Sequence, residues 1–468
     1  MSQKRSPLDT FLIAATLALL LWLPLPLGSD RDWSAGLLVL CTALLTGLFC
    51  ISKLRAPPDS NRTLRAAWPL FALLLATQLW VALQLLLGLS QDAGASLQYL
   101  LLGCAYTMLF GLIVGLFNSR RRLTLLLSVL VISGTLQAFF GTLMTLSGVE
   151  WLLTGSKDSY LGDATGTFVN RNHLAGYLEM TLACGIGLLL ALRDGRPFRW
   201  RYVLELLEGP KTRLRLALVI MVIALVMTHS RMGNAAFFAS LMMVGGLFTL
   251  INREHRLRNA LILLSLVLID VLVISQYFGL EKLKERLLET RFEDRVVDGE
   301  LVASANEQRD DVIGYALPLL QESPLTGIGA GAFESAFQRH AGTDIRLHFD
   351  HAHNDYLQFA IEFGLIGLLP LALFVVLALY HALRALWRRE SWYRSGVGFG
   401  AAMGLLALMI HSATDFNLQI PANAATYVVL AAIAILANQH HKPSRRRRAT
   451  IGEAARGCSG RGGAPAAP

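Results

Sequence analysis

About twelve apolar stretches, each long enough to cross roughly 30 Å of hydrocarbon as a helix, constrain this chain more than any other feature. They lie near 10–27, 34–51, 66–89, 97–117, 123–146, 173–192, 214–229, 234–251, 260–278, 356–383, 397–413 and 423–438. One water-soluble core could not bury them all. Charged residues make up 16% of the chain, where a soluble domain carries about a quarter. The pattern predicts an all-α integral membrane protein with about 12 transmembrane helices. The first stretch has no small-x-small cleavage site, so it reads as a span rather than a signal peptide.

Charge gives the orientation. If the N-terminus is cytoplasmic, the inner segments hold 30 of the 42 Lys and Arg, and the short outer loops hold only Arg31, Lys157, Arg171 and Arg231. That asymmetry predicts both termini cytoplasmic. It also accounts for the net charge of +9 without a nucleic-acid partner. The expected layout is helices 1–9 over residues 1–278 and a large, partly helical outer loop over 279–355 that carries part of the candidate site. Helices 10–12 follow over 356–438, then a basic, disordered tail over 439–468. Within the loop, Leu283 to Val297 alternates charged and apolar residues, as a surface helix would. The five cysteines avoid the outer loops, so no disulfide framework is implied.

The loop ends in the densest polar sequence of the chain, His348-Phe-Asp-His-Ala-His353-Asn354-Asp, running into an apolar segment that contains Gly364 and Gly367. A helix beginning here and capped by Asp350 would place Ala360, Gly364 and Gly367 within about 40° of His353. The histidine would then stand above a groove of small side chains. His348, His351 and His353 with their acidic neighbours leave a zinc reading open.

Three other stretches add chemistry. Gly166-Thr-Phe-Val-Asn170-Arg171-Asn172-His173 packs amides, a guanidinium and an imidazole at the mouth of the sixth span. Thr228-His-Ser-Arg231-Met-Gly233 places an arginine at an outer helix end, against the charge trend. Arg309 begins a run that closes on Pro324-Leu-Thr-Gly327-Ile-Gly329-Ala-Gly331. That glycine turn follows a helix rather than a strand, which argues against a dinucleotide loop.

Together, His353-Asn354 followed after nine residues by Gly364-x-x-Gly367, the Gly-Thr-Phe-x-Asn-x-Asn segment, the Ser-Arg-x-Gly turn and the arginine-to-glycine run resemble the O-antigen ligase and polymerase superfamily of polyprenyl-linked glycan transferases. The resemblance covers roughly Thr165 to Gly367. It implies a multi-pass protein of the bacterial inner membrane with its site facing the periplasm. The donor would be a saccharide on polyprenyl pyrophosphate. The acceptor would be lipid A-core, a growing glycan or a protein hydroxyl, and no cofactor or metal is implied.

The residue chemistry suits that reading. Pyrophosphate leaves readily once its charge is stabilised, which Arg231 and Arg309 could do by bidentate hydrogen bonding. An imidazole such as His353 suits removal of a hydroxyl proton. Asn170, Arg171, Asn172, Asn354, Gly364 and Gly367 are the candidate substrate-binding positions. A protein O-oligosaccharyltransferase of the same superfamily is the nearest alternative. A transporter or flippase of lipid-linked saccharides is the alternative from another class.

Overall fold

The computed structural model describes residues 7–54, 62–152, 155–192, 210–251, 256, 264, 295–297, 300–302, 305–342, 348–388 and 391–439, without the side chains of 62, 210, 295–302 and 305–311. The described residues form an all-α bundle. Its helices are α1 (Pro7–Trp22), α2 (Asp32–Leu54), α3 (Arg62–Leu86), α4 (Ala93–Leu116), α5 (Arg120–Ser147), α6 (Arg171–Ala191), α7 (Pro210–Met227) and α8 (Arg231–Ile251). After the long loop come α9 (Ala305–Glu322), α10 (Phe333–Phe337), α11 (Asp355–Trp387), α12 (Trp392–His411) and α13 (Pro421–Gln439).

Helices fill eleven of the twelve predicted stretches, and of the twelfth, 260–278, all but residue 264 lies outside the described residues. Among the described residues, nine helices are long and apolar enough to cross a membrane. Pro24 and Pro26 follow the end of α1, as proline's missing N–H would dictate. Asp92 and Ser119 cap α4 and α5 through bonds to the Ala95 and Arg122 N–H groups. Gly148 ends α5 with a left-handed residue.

The buried centre is α6, α12 and α13. Lipid supplies little hydrophobic drive between helices, so close backbone approach must hold them. Glycine provides it: a Cβ on Gly187 would lie 2.7 Å from both the Gly396 oxygen and the Gly400 Cα. Around this centre, Leu40, Leu44, Leu79 and Met242 on α2, α3 and α8 expose apolar side chains, as lipid-facing residues should.

Outside the bundle, α9 and α10 share a small core. Val312, Ala316, Leu319, Phe333 and Phe337 pack with Phe349, Ala352 and Ile361. This core fixes the segment leading into α11. The predicted surface helix Leu283–Val297 differs: its last three residues, Arg295–Val297 (β3), pair antiparallel with Glu300–Val302 (β4), and residues 283–294 lie outside the described ones. A second small hairpin joins Trp151–Leu152 (β1) to Gly155–Ser156 (β2).

The feature that most shapes the site is a break in α11. Gly364 has φ 60° and ψ −177°, which is open almost only to glycine. Such a break frees backbone groups that must find partners inside the protein. The Trp80 indole donates to the Phe363 oxygen at 2.7 Å, and the Gln84 amide donates to the Thr326 and Glu362 oxygens at 2.6 and 2.9 Å. The turn Pro324–Gly331 supplies the rest. Its Ile328 and Gly329 N–H groups donate to the Ile361 and Glu362 oxygens, and it accepts from the Leu365 and Ile366 N–H groups.

The continuous helix through His353, Gly364 and Gly367 is therefore corrected. His353 lies before the helix, with φ 51°, and the chain turns again at Gly364. Asn354, not Asp350, caps α11, accepting from the Leu357 N–H at 3.0 Å. Asp350 pairs instead with His348 at 2.9 Å.

Candidate active site

Three polar helix N-termini meet at one end of the bundle. Asn170 caps α6 by accepting from the Asn172 N–H, Ser230 caps α8 by accepting from the Gly233 N–H, and Asn354 caps α11. Gly233 lets α8 lie against α6, where a Cβ would stand 2.6 Å from that of Ala175. Unpaired N–H groups and the helix dipole make such ends favourable to anions. Arg231 is the first residue of α8, and its side chain is exposed.

Phe416, in the turn between α12 and α13, joins the histidines. Its ring lies 4.9 Å from that of His353, 4.4 Å from His351 and 4.7 Å from His173. His353 also packs edge-on to Phe349, with centroids 5.8 Å apart. Next to Phe416, Asp415 accepts from the Asn172 amide and stands 3.7 Å from His173 Nε2. Burial pushes the Asp415 carboxyl up. The imidazoles of His173 and His411 and the Phe416 N–H more than offset this and hold it below the usual carboxylate range.

A second ionic group braces the loop before α6. Asp163 accepts from Arg171 at 2.8 Å and pairs with His229 Nδ1. Deeper in, His411 donates to Glu179 at 2.8 Å, with both side chains fully buried.

Beside the histidines opens a cavity of about 360 Å³ between α3, α4, α11 and α13. Its lining includes the polar His351, Asp355, Gln98 and Gln419, which lie at or near helix ends, and the apolar Leu74, Leu102, Phe374, Val375 and Val428, which lie further along their helices. Asp355 is satisfied by protein: Ser412 and the Leu418 N–H bond one oxygen at 2.7 and 3.0 Å, and Gln419 bonds the other at 3.3 Å.

The structure thus gathers some predicted residues and separates others. His353 and Asn172 meet around Asp415 and Phe416. Asn170 and Asn354 act as caps, and Arg171 is ion-paired. Gly364 and Gly367 do not line the cavity, since the glycine turn and Trp80 fill the space a Cβ would need. Arg309 lies in α9, and its side chain is outside the described residues. Of the three loop imidazoles, His351 and His353 pack on Phe416, and His348 pairs with Glu334 and Asp350. Among the described residues, the cluster able to hold an ion is the exposed Glu334, His348 and Asp350.

The family described as O-Antigen ligase matches residues 216–372. Those residues carry the O-antigen ligase domain. The domain contains Arg231, Arg309 and the whole run from His353 to Gly367, together with the glycine turn that completes α11. Outside its bounds lie Asn170–Asn172, Asp415 and Phe416, which close the same site from α6 and the α12–α13 turn. No curated protein matches the chain. The match, over about a third of the chain, supports a role of the O-antigen ligase or polymerase kind, and the apolar helices support a multi-pass membrane protein.

Proposed function

We propose that the chain transfers a saccharide from polyprenyl pyrophosphate to an acceptor hydroxyl, with inversion, at the end of the bundle where the helix N-termini meet. The observation that carries this reading is the apolar cavity lined at its polar end by His351, whose ring shares Phe416 with His353. A lipid tail in the cavity would leave its pyrophosphate at that end. The attached sugar would then sit towards His353 and the α8 terminus.

In this mechanism the acceptor oxygen bonds to the anomeric carbon while the bond from that carbon to the phosphate oxygen breaks. The electron pair leaves with the lipid pyrophosphate, and the acceptor proton passes to His353. Arg231 and Arg309 stabilise the departing charge, as the O-antigen ligase resemblance suggests. Asp415, held as a carboxylate, favours the imidazolium that forms. Positive-inside asymmetry supports a periplasmic placement of this end, with both termini cytoplasmic.

Deletion of the gene followed by gel analysis of surface polysaccharide tests the function and its subtype. Loss of core-attached chains marks a ligase, and loss of chain length marks a polymerase. Intact glycans with an unmodified protein mark an oligosaccharyltransferase. Unchanged glycans and glycoproteins would overturn the proposal, and lipid-linked saccharide trapped on the cytoplasmic side would favour a flippase.

A further inference from the structure

The protonation pattern of His351 can be read from its neighbours. The Ala352 N–H donates to Gln358 Oε1 at 3.1 Å, which fixes the orientation of that amide. Gln358 Nε2 then faces two acceptors, His351 Nδ1 at 3.0 Å and Glu362 Oε1 at 3.0 Å. An amide nitrogen can only donate, so Nδ1 must accept. The proton of the neutral ring therefore lies on Nε2. Burial pushes this imidazole down to about 4, against the pull of Asp350, so the ring stays neutral at physiological pH. His353, His173, Asp415, Asp350 and Asp355 are among the charged or titratable groups around it.

We infer that His351 is a further donor-binding residue, held by Gln358 as the Nε2–H tautomer to bond an oxygen of the phosphate joined directly to the lipid. His351 lines the apolar cavity just before the N-terminus of α11, where that phosphate lies if the tail runs inward along the helix. Asp355 lines the same cavity, and a neutral donor there binds a phosphate oxygen without a charge of its own. The Glu362–Gln358–His351 chain thus gives the three histidine positions different tasks. His351 binds, His353 takes the proton, and His348 is tied to Glu334 and Asp350 at 2.9 Å each.

This inference rests on the lipid-linked donor reading, and binding in detergent separates the two. The probes are farnesyl pyrophosphate and farnesol. Wild type should bind both, the pyrophosphate more tightly. His351→Asn keeps a group near Nδ1 but loses Nε2–H, so it should bind the pyrophosphate about 10–100-fold more weakly and farnesol unchanged. His351→Gln, whose amide reaches the Nε2 position, should restore much of the loss. Equal pyrophosphate binding by His351→Asn and wild type overturns this inference alone. A wild type that shows no preference for the pyrophosphate over farnesol overturns the donor reading with it. Nitrogen-15 NMR of histidine-labelled protein, assigned by the signal missing in His351→Asn, should show an unprotonated Nδ1 between pH 6 and 8. A protonated Nδ1 would overturn the tautomer.

Discussion

Gly364 and Gly327 meet backbone to backbone: a Cβ on Gly364 would stand 2.4 Å from the Gly327 nitrogen, and one on Gly327 would stand 2.5 Å from the Gly364 nitrogen. Gly364→Ala must therefore both strain the chain and push the glycine turn out of α11. The strain alone costs about 1–3 kcal/mol. Thermal unfolding in detergent should show a clear drop for Gly364→Ala and none for Gly246→Ala, where a Cβ meets nothing within 4 Å.

His353→Ala should leave the protein inserted and folded, because the residue lies outside α11 in a half-buried position. Transfer to the acceptor should fall roughly 10²–10⁴-fold. His348→Ala should keep most activity, since its partners Glu334 and Asp350 are exposed with it. Activity in wild type should rise through the histidine range and level off above it. Equal losses in the two variants would remove His353 from its role.

Arg231→Lys and Arg309→Lys keep the charge but lose the planar fork, so each should lose about 10-fold or more in transfer. Arg31→Lys should be silent. Chelation should leave activity unchanged, because the mechanism assigns charge stabilisation to arginine. Normal turnover in both Lys variants, or loss on chelation, would show that another group holds the pyrophosphate.

Asp163 offers a pH test. Burial pushes its carboxyl up, but the His229 bond and Arg171 overcome this and leave it below the ordinary value. A lowered folded value means its contribution is complete at neutral pH and is lost as the pH falls through that value, below about 4. Hydrogen exchange of residues 155–170 should accelerate there in wild type. In Asp163→Asn it should already be fast at pH 7, with a smaller acid step.

Topology can be read with reporter fusions. Those after residues 160, 300 and 418 should read periplasmic, and those after 55, 205, 255 and 390 cytoplasmic. A cytoplasmic signal after 300 would put the histidines in the compartment opposite to the one proposed.

The spans were legible because membrane length and apolar composition leave few alternatives. The break at Gly364 was not, since a glycine chosen for positive φ and one chosen for helix packing look alike in an apolar run. Assuming a smooth helix put His353 in register with Gly367 and made Asp350 the cap. His353 itself was visible through its motif. Its neighbours Phe416 and Asp415 come from a turn about sixty residues later, which no local spacing reveals. Glu179 and His411 carried a usable signal, each being ionisable inside an apolar stretch, but only packing shows that they pair.

Tyr356 and Val376 line the cavity on α11 and are themselves 48% and 60% exposed. Under the proposed function, a lipid-linked donor would enter a pocket with that wall sideways, from the bilayer. Its occupancy then follows the number of carrier molecules per lipid rather than per litre. Adding empty lipid or detergent at fixed volume would slow the enzyme as though substrate had been withdrawn, and enriching a small patch of membrane in carrier would saturate it at a vanishing bulk concentration.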